Sequence, residues 1–218
     1  MLVKNVRGVV RSLECIVSVL LLSGLAFSQS GDFYRNNITV GIGPAIPVGS
    51  ASAYLDAAPL VSIGYGYRFY RFLQADVSFQ TAFGAASNQN IEATNLGYVE
   101  GGDREYMVPL GGRLIVPMPL SRIELSAGGG AAYLHYSETV PSSYYYANYC
   151  YSCTSRGGWG AYGLVNVSYF LDREHNFRLG TTGQFISASL HGDAVGATPA
   201  IDTKDHWVNI SFEFGFSF

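Results

Sequence analysis

The sequence predicts an all-β fold, an eight-stranded antiparallel transmembrane up-and-down β-barrel. Three features carry that expectation: segments of period-two alternation, connectors that are short and long in turn, and a composition rich in glycine and aromatics but poor in charge. Alternation is plainest in His206–Phe218, HWVNISFEFGFSF. Its even-numbered positions carry His206, Val208, Ile210 and four phenylalanines, and its odd-numbered positions are mostly polar or small. Such a strand separates two media, one of them apolar. A soluble lipocalin-like barrel would turn its apolar face inward around a ligand, whereas a membrane barrel turns it outward to lipid. The 218 residues include 26 Gly, 14% aromatic and 13% charged residues, with a net charge of -3. That balance provides no basic footprint for nucleic acid, and the apolar content excludes a disordered chain.

Residues 1–28 have the layout of a secretory signal. Lys4, Arg7 and Arg11 form a basic start, Cys15–Phe27 an apolar run, and Ala26-Phe27-Ser28 a cleavage site before Gln29. The run is shorter than the roughly 20 residues a membrane-spanning helix needs. The expected mature domain is therefore the barrel, residues 29–218, from which Cys15 is lost. With no second long apolar run, a membrane protein of this sequence has to be a barrel.

The strands follow in order. Asn37–Val48 sets Ile38, Val40, Ile42 and Ile46 against Thr39, Gly41, Gly43 and Ala45. Leu60–Tyr70 sets Val61, Ile63, Tyr65, Tyr67 and Phe69 against Ser62, Gly64, Gly66 and Arg68. In Phe72–Phe83 the inward set is Gln74, Asp76, Ser78 and Gln80, and in Arg104–Val116 it is Pro109, Gly111 and Arg113. Ile123–Tyr136 alternates at first and then becomes small on both faces, Ala127–Ala132. Trp159–Phe170 and Asn176–Ser187 alternate less cleanly, and His206–Phe218 is the eighth segment. The connectors Tyr70-Arg71, Pro117–Ser121 and Leu171–His175 are short; Gly84–Asp103, Ser137–Gly158 and Leu190–Asp202 are long. Short turns facing the periplasm and long loops facing outward put both termini in the periplasm.

Parity also brings charge inside. Arg68, Asp76, Arg113, Glu124, Arg178 and Glu213 all face inward near the short-turn end, three cations with three anions. Eight strands leave room for side chains only, so these groups are expected to pair, with Gln74 and Asn166 as further partners, and to plug the lumen. Above them Ser62, Gly64, Gly111, Gly128, Gly130, Gly160 and Asn209, with Trp207 and Tyr162, suggest a cup open to the outside.

Two further constellations lie in the longest loop, Ser137–Gly158. Cys150 and Cys153 in an exported chain point to a local disulfide rather than to a redox or zinc site, because the helix or extra ligands those need are not nearby. Tyr144, Tyr145, Tyr146, Tyr149 and Tyr151 offer amphipathic contact area of the kind binding loops use. Neither catalytic residues, nor metal ligands, nor a cofactor site is expected.

The secretory start, the eight segments, the phrases VSIGYGYRFY and MVPLGGRLIVPMPL, and the terminal FEFGFSF together resemble the outer-membrane protein β-barrel domain family, the OmpA- and OmpX-like small barrels. The resemblance covers the mature chain, with no peptidoglycan-binding domain after Phe218. It implies a bacterial outer-membrane protein of structural or adhesive role, with outer-membrane lipids and the barrel-assembly machinery as partners and an extracellular ligand or surface as a third. Phe214, Phe216 and Phe218 would be the assembly signal. The alternatives are a conduit for small solutes or lipophiles, and a lipid A-modifying enzyme. For the enzyme, His135 and Ser137 resemble the His-x-Ser pair of lipid A deacylases, but Glu138 stands where that motif continues with Asn.

Overall fold

The computed structural model describes residues 33–85, 90–94, 97–100, 102–117, 122–141, 150–193 and 200–218; for 90–94, 97–100, 102, 117, 139–141 and 150–154 it describes the backbone alone. Its strands are β1 (Asn36–Val48), β2 (Ala58–Tyr70), β3 (Leu73–Phe83), β4 (Asn90–Thr94), β5 (Gly97–Glu100), β6 (Gly102–Pro117), β7 (Ile123–Pro141), β8 (Cys150–Phe170), β9 (Phe177–Gly192) and β10 (Ile201–Ser217). Eight of them close a barrel in the order β1-β10-β9-β8-β7-β6-β3-β2, with every neighbouring pair antiparallel. β4 and β5 form a separate hairpin within the β3–β6 connector. Closure of β1 on β10 aligns Val40 with Phe214 and Ile42 with Phe212. The seam ends in a reciprocal pair of backbone bonds, Asn36 N–H to Phe218 O at 3.0 Å and Phe218 N–H to Asn36 O at 2.9 Å. No strand edge remains along the spanning wall, which removes the unpaired backbone that lipid could not solvate.

The apolar parity points out. Val40, Ile42, Val61, Ile63, Leu110, Leu114, Val165, Val167 and Phe212 are all exposed and form a continuous apolar band. A monomeric soluble protein rarely carries a patch of that extent. Aromatic rings border the band on both sides. Phe69, Tyr70, Phe72, Tyr169, Phe177 and Phe216 lie at the short-turn end, and Phe83, Trp159 and Phe185 at the other.

The strands run further than the alternation indicated. β7, β8, β9 and β10 continue past the band toward the long connectors, with β7 reaching Pro141 and β8 beginning at Cys150. There the outward positions become Ser187, Ser189 and His191 on β9 and Asp202, Lys204 and His206 on β10. The segment 137–158 is polar or small over most of both parities, without the apolar alternation of the band, so it resembles a loop in sequence. Cys150, Tyr151 and Cys153 accordingly lie on β8 and not in a loop.

One short turn shows how the bends are secured. The Asp172 carboxylate accepts the Asn176 N–H at 3.0 Å and the Phe177 N–H at 2.9 Å, so the β8–β9 turn satisfies its own amides. Burial would raise the Asp172 carboxyl, but these backbone N–H groups outweigh it and hold it below the ordinary aspartate range.

Candidate functional site in the barrel lumen

The lumen is filled in three layers. Nearest the short turns lies a charged layer. Glu124 on β7 meets two arginines, Arg68 of β2 at 2.7 Å and Arg178 of β9 at 3.3 Å. Arg113 of β6 binds Asp76 of β3 at 2.7 Å. Asp76 also accepts the Gln74 amide at 2.6 Å, and Gln74 in turn accepts from Asn37 at 2.9 Å. Glu213 accepts the Ser211 hydroxyl at 3.0 Å and the Asn166 amide at 3.4 Å. All six charged residues singled out from parity thus face inward at one level, five of them joined in ion pairs and Glu213 held by neutral donors. Pairing is what makes charge tolerable here, since an unpaired ion in a narrow lumen would keep its desolvation cost.

Above this layer is a small polar cavity of about 40 Å³, lined among others by Ser62, Gln80, Arg113, Tyr162, Gln184 and Glu213. At roughly 10–15 Å³ per water it has room for about three molecules. Tyr162 lies along the inner face of the β6–β7 wall, which is made of glycine where it passes. A Cβ at Gly111 would lie 2.8 Å from the Tyr162 hydroxyl, and one at Gly130 would lie 2.6 Å from the Gly111 Cα. The small run of β7 therefore leaves room for an aromatic side chain that reaches in from β8. Asn209 spans the cavity roof, donating to Gln80 at 3.0 Å and lying 3.2 Å from the Met107 sulfur.

The third layer replaces the open cup suggested by the inward small residues. Trp207 is 0% exposed and packs in one apolar cluster with Leu55, Leu60, Met107, Leu134, Ile186 and Leu190. Part of the filling comes from the β1–β2 connector, whose single 3-10 turn, Ala51–Ala53, tucks Ala51 and Leu55 into the barrel mouth. Small inward residues on one strand admit large ones from another, and a cup inferred strand by strand misses this. The signal that could have revealed it is the composition of the connector, ASAYLDAAP, which is too apolar for a solvated loop.

At the rim of this layer sits a second polar group. The Arg156 guanidinium lies between the rings of Tyr54, at 5.0 Å, and Tyr136, at 4.4 Å, and binds Asp205 at 3.3 Å. The Tyr54 hydroxyl also donates to Asp205. Glu105 beside them is 0% exposed, and neither of its carboxylate oxygens finds a hydrogen-bond partner among the described residues. Further out, His191 of β9 lies 2.5 Å from Asp202 of β10. That hydrogen bond, reinforced by the charges of Asp202 and Asp193, raises the His191 pKa above its ordinary 6.5.

The remaining candidates fall outside these layers. Tyr144, Tyr145, Tyr146 and Tyr149, like residues 1–32, lie outside the described residues, and the side chains of Cys150, Tyr151 and Cys153 lie outside the described side chains. Along a regular strand, residues three apart have Cα atoms about 10 Å distant, beyond the roughly 4.4–6.8 Å a disulfide spans. The ladder is irregular here, however, since Val140 faces Ser152 while Pro141 faces Cys150, which leaves Tyr151 as an extra residue. A bulge of that kind bends the strand and increases its twist. His135 points outward and stacks on Tyr106 at 6.3 Å in the loop-side aromatic border. Phe214 and Phe216 belong to the exposed outer face of β10, each ring near Phe177, at 6.1 and 5.1 Å.

A closed up-and-down barrel of eight strands, apolar outside and packed with side chains inside, has the architecture of the small outer-membrane barrels. Solved structures of such proteins match the chain over most of its length. A major outer membrane protein from Thermus thermophilus has a TM-score of 0.50 at 9% identity, covering 84% of this chain and 98% of that one. Neisserial surface protein A gives 0.49 at 15% identity, covering 86% and 98%. Ail, the attachment invasion locus protein of Yersinia pestis, gives 0.48 at 11% identity, covering 84% and 99%. At such identities the likeness is one of fold. No protein-family model matches the chain, and no curated protein matches it.

Proposed function

We propose that this chain is an integral protein of the bacterial outer membrane, in which a sealed barrel serves as anchor and the tall rim with its loops is the working surface. The observation that carries this reading is the lumen, filled by ion pairs at one level and by the Trp207 cluster at another. The cavity between them, lined by Ser62, Gln80, Arg113 and Glu213 among others, is water-sized, which supports a sealed anchor over a conduit. The exposed apolar band supports lipid as the surrounding medium. In this reading residues 1–28 are removed on export, both termini face the periplasm, and β7 and β8 extend past the apolar band on the outer side. Cys150 and Cys153 are paired in the oxidising exterior, which supports a local disulfide at the irregular start of β8. The protein performs no catalysis and needs no cofactor; its contacts are with lipid, with the assembly machinery, and with an extracellular surface or ligand through the tyrosines. Single-channel recording in planar bilayers tests the sealed anchor. Wild-type protein should insert without conductance steps, and stable openings of nanosiemens order would overturn the reading.

A further inference from the structure

The short-turn end of the wall carries exposed arginines with which no side-chain carboxylate of the described residues pairs. Arg35 and Arg71 are exposed and flank the lower end of β2, and neither forms an ion pair among the described residues. Arg35 donates to the Tyr67 hydroxyl at 3.5 Å. Around them is a dense aromatic surface. Tyr67 and Phe69 meet edge to face at 4.9 Å, and Tyr70 and Phe72 stack at 6.2 Å. Tyr70, Phe72 and Phe69 are among the exposed aromatics, at 62%, 57% and 51%. The opposite sector of the same end differs. There Arg173 sits between Asp172 and Glu174 in the β8–β9 turn, and Arg122 donates to the Leu171 carbonyl at 3.3 Å. Among the described side chains of this end, the net charge is therefore positive in the β1–β2–β3 sector and balanced in the opposite one.

This patch adjoins the apolar band directly, since Phe69, Leu73 and Val77 continue it along β2 and β3. A ligand seated there has its polar part at the aromatic border and its apolar part on the band. Cation sign, phenolic donors and adjoining apolar wall fit one chemistry. We propose that Arg35 and Arg71, with the hydroxyls of Tyr67 and Tyr70, bind the phosphate of an anionic phospholipid whose acyl chains lie along Phe69, Leu73 and Val77. This rests on the reading of the barrel as membrane-integral. Guanidinium forks match phosphate oxygens, and juxtamembrane basic residues are attracted to anionic lipid.

Native mass spectrometry of the refolded full chain, titrated with phosphatidylglycerol or phosphatidylcholine, tests the site. Wild type should retain phosphatidylglycerol preferentially, and the preference should fall as salt rises. At about fivefold per arginine, the Arg35→Gln/Arg71→Gln variant should bind it about thirty-fold more weakly, while Arg173→Gln should match wild type. Equal retention of the two lipids by wild type, salt independence, or an equal loss in Arg173→Gln would overturn the site. Insertion is scored separately by heat-modifiable gel mobility in phosphatidylcholine vesicles. Failure to insert would count against the membrane reading, whereas insertion without lipid preference would count against the site alone. If the double variant does not fold, the wild-type lipid preference and its salt dependence still decide.

Discussion

Replacing Glu124 by alanine should be among the most damaging single changes in the lumen. Glu124 is the common partner of Arg68 and Arg178, and the three side chains are only 7%, 11% and 7% exposed. Removing the carboxylate leaves two guanidiniums facing each other in a narrow space, and Asp76 is already engaged by Arg113 at 2.7 Å. Breaking a buried pair by deleting one partner costs about 3–5 kcal/mol. With a urea m-value of roughly 2 kcal/mol per molar, a loss of about 4 kcal/mol lowers the unfolding midpoint by about 2 M. Glu124→Gln retains an acceptor and should lose about half as much. The triple change Arg68→Met, Glu124→Leu, Arg178→Met should recover most of the loss, because a matched apolar set no longer needs pairing. Reversible urea unfolding in lipid vesicles, followed by gel mobility, measures all three. A Glu124→Ala midpoint indistinguishable from wild type would refute the network and indicate independently hydrated charges.

Three other outcomes follow from the same structure. Trp207→Ala should cost about 3–5 kcal/mol in the same urea assay, since it empties the largest buried side chain of the upper cluster. Non-reduced mature protein should show no thiol reactive to alkylation by mass spectrometry, and two labelled cysteines would show that the Tyr151 bulge leaves Cys150 and Cys153 apart. His191 should titrate above its ordinary 6.5 by NMR, and Asp202→Asn should bring it back toward that value. The folded state raises this pKa, so the His191–Asp202 contact contributes below the ordinary histidine pKa and is lost as pH rises through the shifted one.

How far the sequence reveals the structure depends on whether a wall segment has two unlike faces. From Leu73 to Gln80 the outside is apolar and the inside polar, so both strand and facing could be taken from parity. The inward placement of Arg68, Asp76, Arg113, Glu124, Arg178 and Glu213 follows from the same rule, because a one-residue slip would put each charge on the apolar face. Above the band the contrast inverts or fades. On β9 Ser187, Ser189 and His191 face out while Ile186, Ala188 and Leu190 face in, and the upper third of β8, Cys150–Gly157, has no apolar face to alternate and so resembled a loop. Partner choice across the lumen was equally hidden. That Glu124 should take two arginines while Glu213 takes Ser211 and Asn166 depends on stagger between strands, which no single strand encodes.

The central claim is that the apolar face of this wall meets lipid while Trp207 is sealed inside. The two tryptophans test it together, since Trp159 is 62% exposed on the outer face and Trp207 is 0% exposed in the lumen. In vesicles of lipid carrying brominated acyl chains, the Trp207→Phe variant, which keeps Trp159, should be strongly quenched. The Trp159→Phe variant, which keeps Trp207, should be nearly unaffected. Quenching of Trp207 with Trp159 spared would contradict the account, because it would place the other face of the strands against the membrane.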